Sequence, residues 1–266
     1  MRQCGILQGI CWRVGLGRDR RAAMILSYRH HFILLRAYKV AGTSVEMALS
    51  TLCGDADIVS PMMPVDEAAR QKMGGFCGNY GADPAAEAFY NRAVVSANPA
   101  VLAQMQPPPR LYSAHSSLAV IAAQAGIDPA DFRVVMITRN PYARLVSLLH
   151  MTANLSDYRR GEAMPEATSD LAAMFDRVRS RTALVRLHSA AMFAGTTPEL
   201  LRYENLAEDL AAFAMSLGVK LPPLPHAKRG AGSERIDPRE VFRREQLDWF
   251  NREFAAEFKA FNYTPV

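Results

Sequence analysis

The chain predicts an α/β fold in which a central parallel sheet is flanked by helices. Three observations predict it. Short apolar runs recur along the chain, and FILLR (32–36) and FRVVMIT (132–138) carry apolar residues on consecutive positions. That pattern belongs to parallel strands buried on both faces. Stretches of helical periodicity alternate with these runs, which is the order of repeated strand–helix units. The 266 residues are half apolar, enough for one α/β domain with a substantial core.

Taken in order, residues 1–25 read as a basic N-terminal extension, disordered or lying ahead of a true start at Met24. The apolar stretch there is broken by Gln8, Gly9 and Arg13, which suits neither a secretory signal nor a membrane span. Residues 27–36 hold the first strand. A loop, YKVAGTS, then leads into a helix over 43–52, whose apolar face carries Val45, Met47, Ala48 and Leu49. Residues 57–60 read as a short edge strand.

Residues 61–110 are rich in proline and glycine, with aromatic residues interleaved, and end in the run PPP at 107–109. They read as a lid-like or loosely packed insertion with a helix around 85–95. Residues 110–114 are expected to form a second core strand ending at His115. A helix over 116–125 follows, with Ser116 or Ser117 at its N-cap. The strand at 132–138 runs into RNPYARLVSLLHM, where Pro141 suits the first turn of a helix. An amphipathic helix is expected over 169–179, a short strand over 200–203, and a helix over 206–217 ending at Gly218. A proline-rich basic loop covers 221–235, and one long charged helix is expected over 238–261.

Charge narrows the partners. The net charge is +5, and residues 1–30 carry six arginines against Asp19 alone, which accounts for the whole excess. The rest of the chain is neutral, so a nucleic-acid-binding face is not expected. Cys4, Cys11, Cys53 and Cys77 show neither C-x-x-C spacing nor a neighbouring histidine cluster. The expectation is a reduced, cytoplasmic chain without a structural metal, in which Cys53 packs at the end of the first helix.

Ligands of open α/β sheets bind beyond the carboxyl ends of the strands. Three segments carry residues suited to phosphate. The first is the loop with Lys39, Val40, Ala41, Gly42, Thr43 and Ser44, which offers backbone N–H groups, two hydroxyls and a cation at a helix start. Its order departs from G-x-x-x-x-G-K-[ST], because the lysine precedes the glycine by three positions. The second is RNPYARLVS, with Arg139 at a strand end and Ser147 two turns into the next helix; a guanidinium and a hydroxyl would clamp a second phosphate. The third is PHAKRGAGSER, where Lys228 and Arg229 adjoin Gly230 and Gly232.

With these segments in hand, the chain resembles the PAPS-dependent sulfotransferases, in their bacterial and carbohydrate-type branch. YKVAGTS is similar to the 5′-phosphosulfate loop, P-K-[TV]-[AG]-[GS]-T-S, and RNPYARLVS to the 3′-phosphate motif, R-[ND]-P-x-x-R-x-x-S. LRYENLAEDL and DWFNREFAAEFKAFNYTPV resemble later blocks. The likeness runs from about Leu26 onward, with gaps in 61–110, and implies one sulfotransferase domain over 26–266 with a fold like that of P-loop nucleotide-binding proteins. Tyr38 stands where the family has proline, which loosens a turn and removes no phosphate ligand.

The resemblance implies roles. Lys39 would contact the 5′-phosphate and the bridging oxygen, and Gly42, Thr43 and Ser44 would hold the 5′-phosphate. Arg139 and Ser147 would bind the 3′-phosphate, Tyr203 would contact the nucleotide, and Lys228 and Arg229 would close over it. The implied reaction moves a sulfuryl group from PAPS to an acceptor hydroxyl, on a carbohydrate or glycolipid, releasing adenosine 3′,5′-bisphosphate. Two alternatives stay open: a nucleotide-binding module without catalysis, and an atypical P-loop kinase.

A hydroxyl acceptor needs a general base. His115 is the candidate, at the end of an expected strand; the rival reading is a structural or capping histidine. His30 and His31 precede a strand, His150 and His188 sit in helical segments, and His226 borders the basic loop. Glu46 is the second candidate base, although interaction with the helix dipole is the preferred reading for it. Arg144 is read as pairing with a carboxylate, and Glu204 and Asn205 as capping the helix after them.

Overall fold

The computed structural model describes residues 24–112, 116–153, 170–179, 184–225 and 236–266. Among them lie five strands in one open sheet: β1 (Ile25–Ser27), β2 (Phe32–Arg36), β3 (Ile58–Val59), β4 (Arg133–Thr138) and β5 (Glu199–Arg202), in the order β3-β1-β2-β4-β5. β2 pairs with β4, and β4 with β5, in parallel. The expected parallel sheet is therefore present in its central part. The correction is β1, which runs antiparallel to both β2 and β3. The turn from Tyr28 to His31 is too short for a crossover, so the two strands it joins must form a hairpin.

Helix α1 (Gly42–Ser50) leaves β2 through the Lys39 loop, and α6 (Pro141–Ala153) leaves β4 two residues after the strand. Because β2 and β4 are neighbours with Arg36 opposite Ile137, the two loops emerge side by side at one sheet edge. α5 (Leu118–Ala125) is capped by Ser117, whose hydroxyl accepts from the Val120 N–H. α7 spans Leu171–Arg179, and α8 spans Leu206–Ser216 after β5. α8 gives way at Gly218, which takes a φ of 72°.

The segment 61–110 is more regular than expected. It holds α2 (Pro64–Lys72), α3 (Pro84–Ser96) and α4 (Pro99–Gln104). Each opens on a proline, which loses nothing by lacking an N–H in the first turn. These helices enclose a small core of Cys77, Tyr80, Tyr90, Val94 and Leu102. The expected strand over 110–114 is not found: Arg110, Leu111 and Tyr112 are outside the sheet, and 113–115 lie outside the described residues. The Leu111 N–H donates to the Tyr80 carbonyl at 2.8 Å, and Arg110 Nη1 to the Pro61 carbonyl at 3.3 Å, so this stretch is tied to the insertion.

The long C-terminal helix is also corrected. It is three pieces, α9 (Pro238–Val241), α10 (Arg244–Glu253) and α11 (Ala255–Phe261). The breaks fall at Phe242 and Phe254, both buried and both out of helical geometry. Phe242 packs on Phe175 of α7 with ring centroids 5.8 Å apart, and Phe254 lies 4.4 Å from Phe250. Burying both rings favours the kinks over one straight helix. The main core surrounds the sheet with Val45, Leu49, Ile121 and Phe213; a second joins α6, α7, α10 and α11. No described helix is long and apolar enough to cross a membrane.

Candidate anion site at the ends of β2 and β4

The loop between β2 and α1 has an unusual backbone. Lys39 and Ala41 are both left-handed, with φ of 65° and 62°. For residues with a Cβ this costs about 1–2 kcal/mol each, so the surroundings must impose it. They do so at three points. Val40, between the two, is buried in the main core. Arg144 Nε donates to the Tyr38 carbonyl at 3.0 Å, and Arg139 Nη1 to the Lys39 carbonyl at 3.0 Å. A left-handed Ala41 followed by helical Gly42 turns successive N–H groups toward one point, the geometry of an anion nest.

The nine-residue α1 is not capped by a side chain. α3, α4, α5 and α9 are capped, by Asp83, Asn98, Ser117 and Asp237. The first turn of α1 also holds no acidic residue. Its amide donors and the positive end of its dipole therefore face the loop without a built-in anion.

Arg36 is the residue sequence reasoning missed here. Its Nη2 donates to Thr43 Oγ1 at 3.0 Å, and its Nη1 to the Glu46 carboxylate at 3.1 and 3.3 Å. Glu46 is wholly buried. Burial pushes its pKa above the ordinary value, while Arg36 and then Arg70 pull it back. The preferred helix-dipole reading of Glu46 gives way to this ion pair. Gly42 makes room for it, because a Cβ there would lie 2.5 Å from Arg36 Nε and 2.7 Å from Cδ and Cγ. A charge closing an apolar strand, with a glutamate ten residues on, was the available signal.

Arg139 follows β4 directly and is 5% exposed. Besides the Lys39 carbonyl, its guanidinium lies over the Tyr203 ring, 4.1 Å from the centroid. Lys39, Arg139 and Tyr203, expected at one site, are thus brought together. Burial lowers the Arg139 pKa, Tyr203 and Glu204 opposing, yet a guanidinium stays charged. The Glu204 carboxylate is engaged elsewhere: it accepts from the Asn140 N–H at 2.8 Å and the Tyr263 hydroxyl at 2.9 Å. This corrects its expected helix-capping role, and Asn205 makes no side-chain cap either.

On α6, Arg144, Ser147 and His150 are spaced three apart and share a face. Arg144 is structural, as expected. It is 1% exposed and bonds Glu257, Ser189 and the Leu187 carbonyl at 3.2, 3.1 and 2.8 Å. Ser147 is buried at 8% exposure on that face. His150 is buried too, and its pKa is lowered by burial first and by the charge of Lys39 second. Its place on the face that meets the Lys39 loop only became visible once α6 was packed. His115, Lys228 and Arg229 lie outside the described residues.

A cavity of about 670 Å³ is lined by Leu210, Met215, Val219 and Leu224 on α8 and the chain beyond it, with none of these cations. No family model matches the chain, and neither a curated protein nor a solved structure matches it.

Proposed function

We propose that the chain is a PAPS-dependent sulfotransferase of P-loop-like fold. The observation that carries this reading is the junction of two cationic loops at adjacent parallel strand ends, with Arg139 donating to the Lys39 carbonyl at 3.0 Å. One loop offers an uncapped helix N-terminus with Lys39, and the other a buried guanidinium. Two anion sites at neighbouring strand ends suit a nucleotide phosphorylated at both its 5′ and 3′ positions, and the motif resemblance supports the same assignment.

In this reading Gly42, Thr43 and Ser44 hold the 5′-phosphate, Arg139 and Ser147 hold the 3′-phosphate, and Tyr203 flanks the nucleotide. The acceptor oxygen attacks sulfur in line and forms a new S–O bond. The S–O bond to the 5′-phosphate breaks, its electron pair stays on the phosphate oxygen, and Lys39 stabilises the charge that develops there. The acceptor proton passes to His115. By analogy with phosphoryl transfer, the protein's contribution is chiefly position and electrostatics. The acceptor is a hydroxyl of a carbohydrate or glycolipid, a choice that rests on the branch resemblance.

The test is thermal stabilisation followed by transfer. Adenosine 3′,5′-bisphosphate is expected to raise the melting temperature where ATP with Mg²⁺ does not. Labelled sulfuryl transfer from PAPS to a glycan pool is expected from the wild type and lost in Lys39→Ala. Equal stabilisation by both nucleotides, or binding with no transfer to any acceptor and no slow hydrolysis, overturns the reading.

A further inference from the structure

We infer that Arg36 and Glu46 are positioning residues that set the Thr43 hydroxyl as a donor toward the anion bound in the α1 loop. The inference rests on the anion site proposed above and adds the device that orients it.

A hydroxyl has one proton to donate and two lone pairs to accept with. Thr43 Oγ1 accepts from Arg36 Nη2 at 3.0 Å. One lone-pair direction is therefore occupied by a cation, which also repels the hydroxyl proton. Among the described residues no oxygen accepts that proton, although Thr43 is 7% exposed. A buried donor without an acceptor is costly. This one stands in the first turn of α1, which no side chain caps, beside the amides of Gly42 and Thr43. The arrangement is completed when an anion in the loop takes the hydroxyl proton.

Glu46 fixes the guanidinium. It holds Arg36 Nη1 through both oxygens at 3.1 and 3.3 Å, one turn along α1 from Thr43. Strand, loop and helix are thus tied by one side chain that spans both partners. A lysine in place of Arg36 has one nitrogen at its tip, so it reaches one partner at a time and does not reproduce the fork. Gly42 belongs to the same device, since any side chain there displaces Arg36.

The experiment is a coupling cycle on affinity, with adenosine 3′,5′-bisphosphate and inorganic pyrophosphate as probes. The variants are Thr43→Val, the pair Arg36→Met with Glu46→Met, their combination, and Arg36→Lys. Removing both partners of the ion pair avoids stranding a buried charge, and circular dichroism checks that the fold is kept. Thr43→Val and the pair variant are each expected to lose about tenfold in affinity, the usual scale of a lost charge-assisted bond, and their combination little more than either. Arg36→Lys is expected to lose nearly as much as the pair variant. Losses that multiply to about a hundredfold in the combination overturn the inference. So does full affinity in the pair variant or in Arg36→Lys. If wild type binds pyrophosphate but not the nucleotide, the donor assignment falls while the cycle on pyrophosphate still decides the role of Arg36. Binding of neither probe overturns both.

Discussion

Arg139 Nη1 donates to the carbonyl of Lys39 across 100 residues of sequence, at 3.0 Å, while the Tyr203 ring lies 4.1 Å from the same guanidinium. The bond ties the end of β4 to the left-handed turn after β2. Together with the bond from Arg144 Nε to the Tyr38 carbonyl, it fixes the two loops in relation to each other.

A planar guanidinium can stack on a ring and donate in its own plane at once, and an ammonium cannot. Arg139→Lys is therefore expected to lose about 10–100-fold in affinity for adenosine 3′,5′-bisphosphate, the range for a lost charge-assisted contact. Affinity for adenosine 5′-monophosphate should fall much less. Calorimetric titration of both ligands checks this, and equal losses would show that Arg139 acts only through the Lys39 turn.

The Arg144–Glu257 pair makes a stability prediction. Both side chains are 1% exposed, and Glu257 also accepts from the Ser189 and Ala190 N–H groups at 2.5 and 2.6 Å. Glu257→Ala strands a buried guanidinium that in turn holds the Tyr38 carbonyl. The expected cost is about 3–5 kcal/mol, read as a drop in the denaturant midpoint. A loss below about 1 kcal/mol would mean the pair is not the anchor of this loop.

Legibility followed physical range. β2 and β4 were readable because four or more consecutive apolar side chains admit few alternatives. α5 and α6 were readable from Ser117 and Pro141, local signals of a helix start. β1 was missed because three residues carry no period. Within the insertion α3 was readable, while α2 and α4 were obscured because Pro64 and Pro99 mark helix starts as well as breaks. At the site, Lys39 and Arg139 stood in recognisable loops. Arg36 with Glu46, and the approach of α6 to the Lys39 loop, depend on tertiary packing that no local pattern encodes.

His150 gives a pH dependence. Burial and Lys39 lower its folded pKa below the unfolded value of 6.5. The folded state therefore prefers the neutral ring, and its contribution is fully present above about pH 6.5. As pH falls from there toward the folded pKa, the unfolded chain binds a proton the folded chain does not, and stability declines. The slope for one proton is at most about 1.4 kcal/mol per pH unit. Urea melts of wild type and His150→Gln between pH 7.5 and 5 are expected to diverge below pH 6.5, the variant losing less. Parallel curves would remove His150 as the titrating group.

Gly42 separates steric from propensity effects. Alanine at the start of α1 gains a few tenths to about 1 kcal/mol in helix propensity. Against this, its Cβ would sit 2.5 Å from Arg36 Nε, and that side chain is pinned by Glu46 and Thr43. Overpacking of a fixed neighbour costs about 1–3 kcal/mol, so Gly42→Ala is expected to destabilise the protein by up to about 2 kcal/mol. The sign should reverse where the neighbour is gone. In a chain carrying Arg36→Ala and Glu46→Leu, Gly42→Ala is expected to be neutral or stabilising by a few tenths of a kcal/mol, leaving the propensity effect alone. Chemical denaturation of the four chains measures both legs. The same penalty in both backgrounds would trace the cost to the backbone at position 42, whereas the reversal traces it to the Arg36 side chain lying across the helix start.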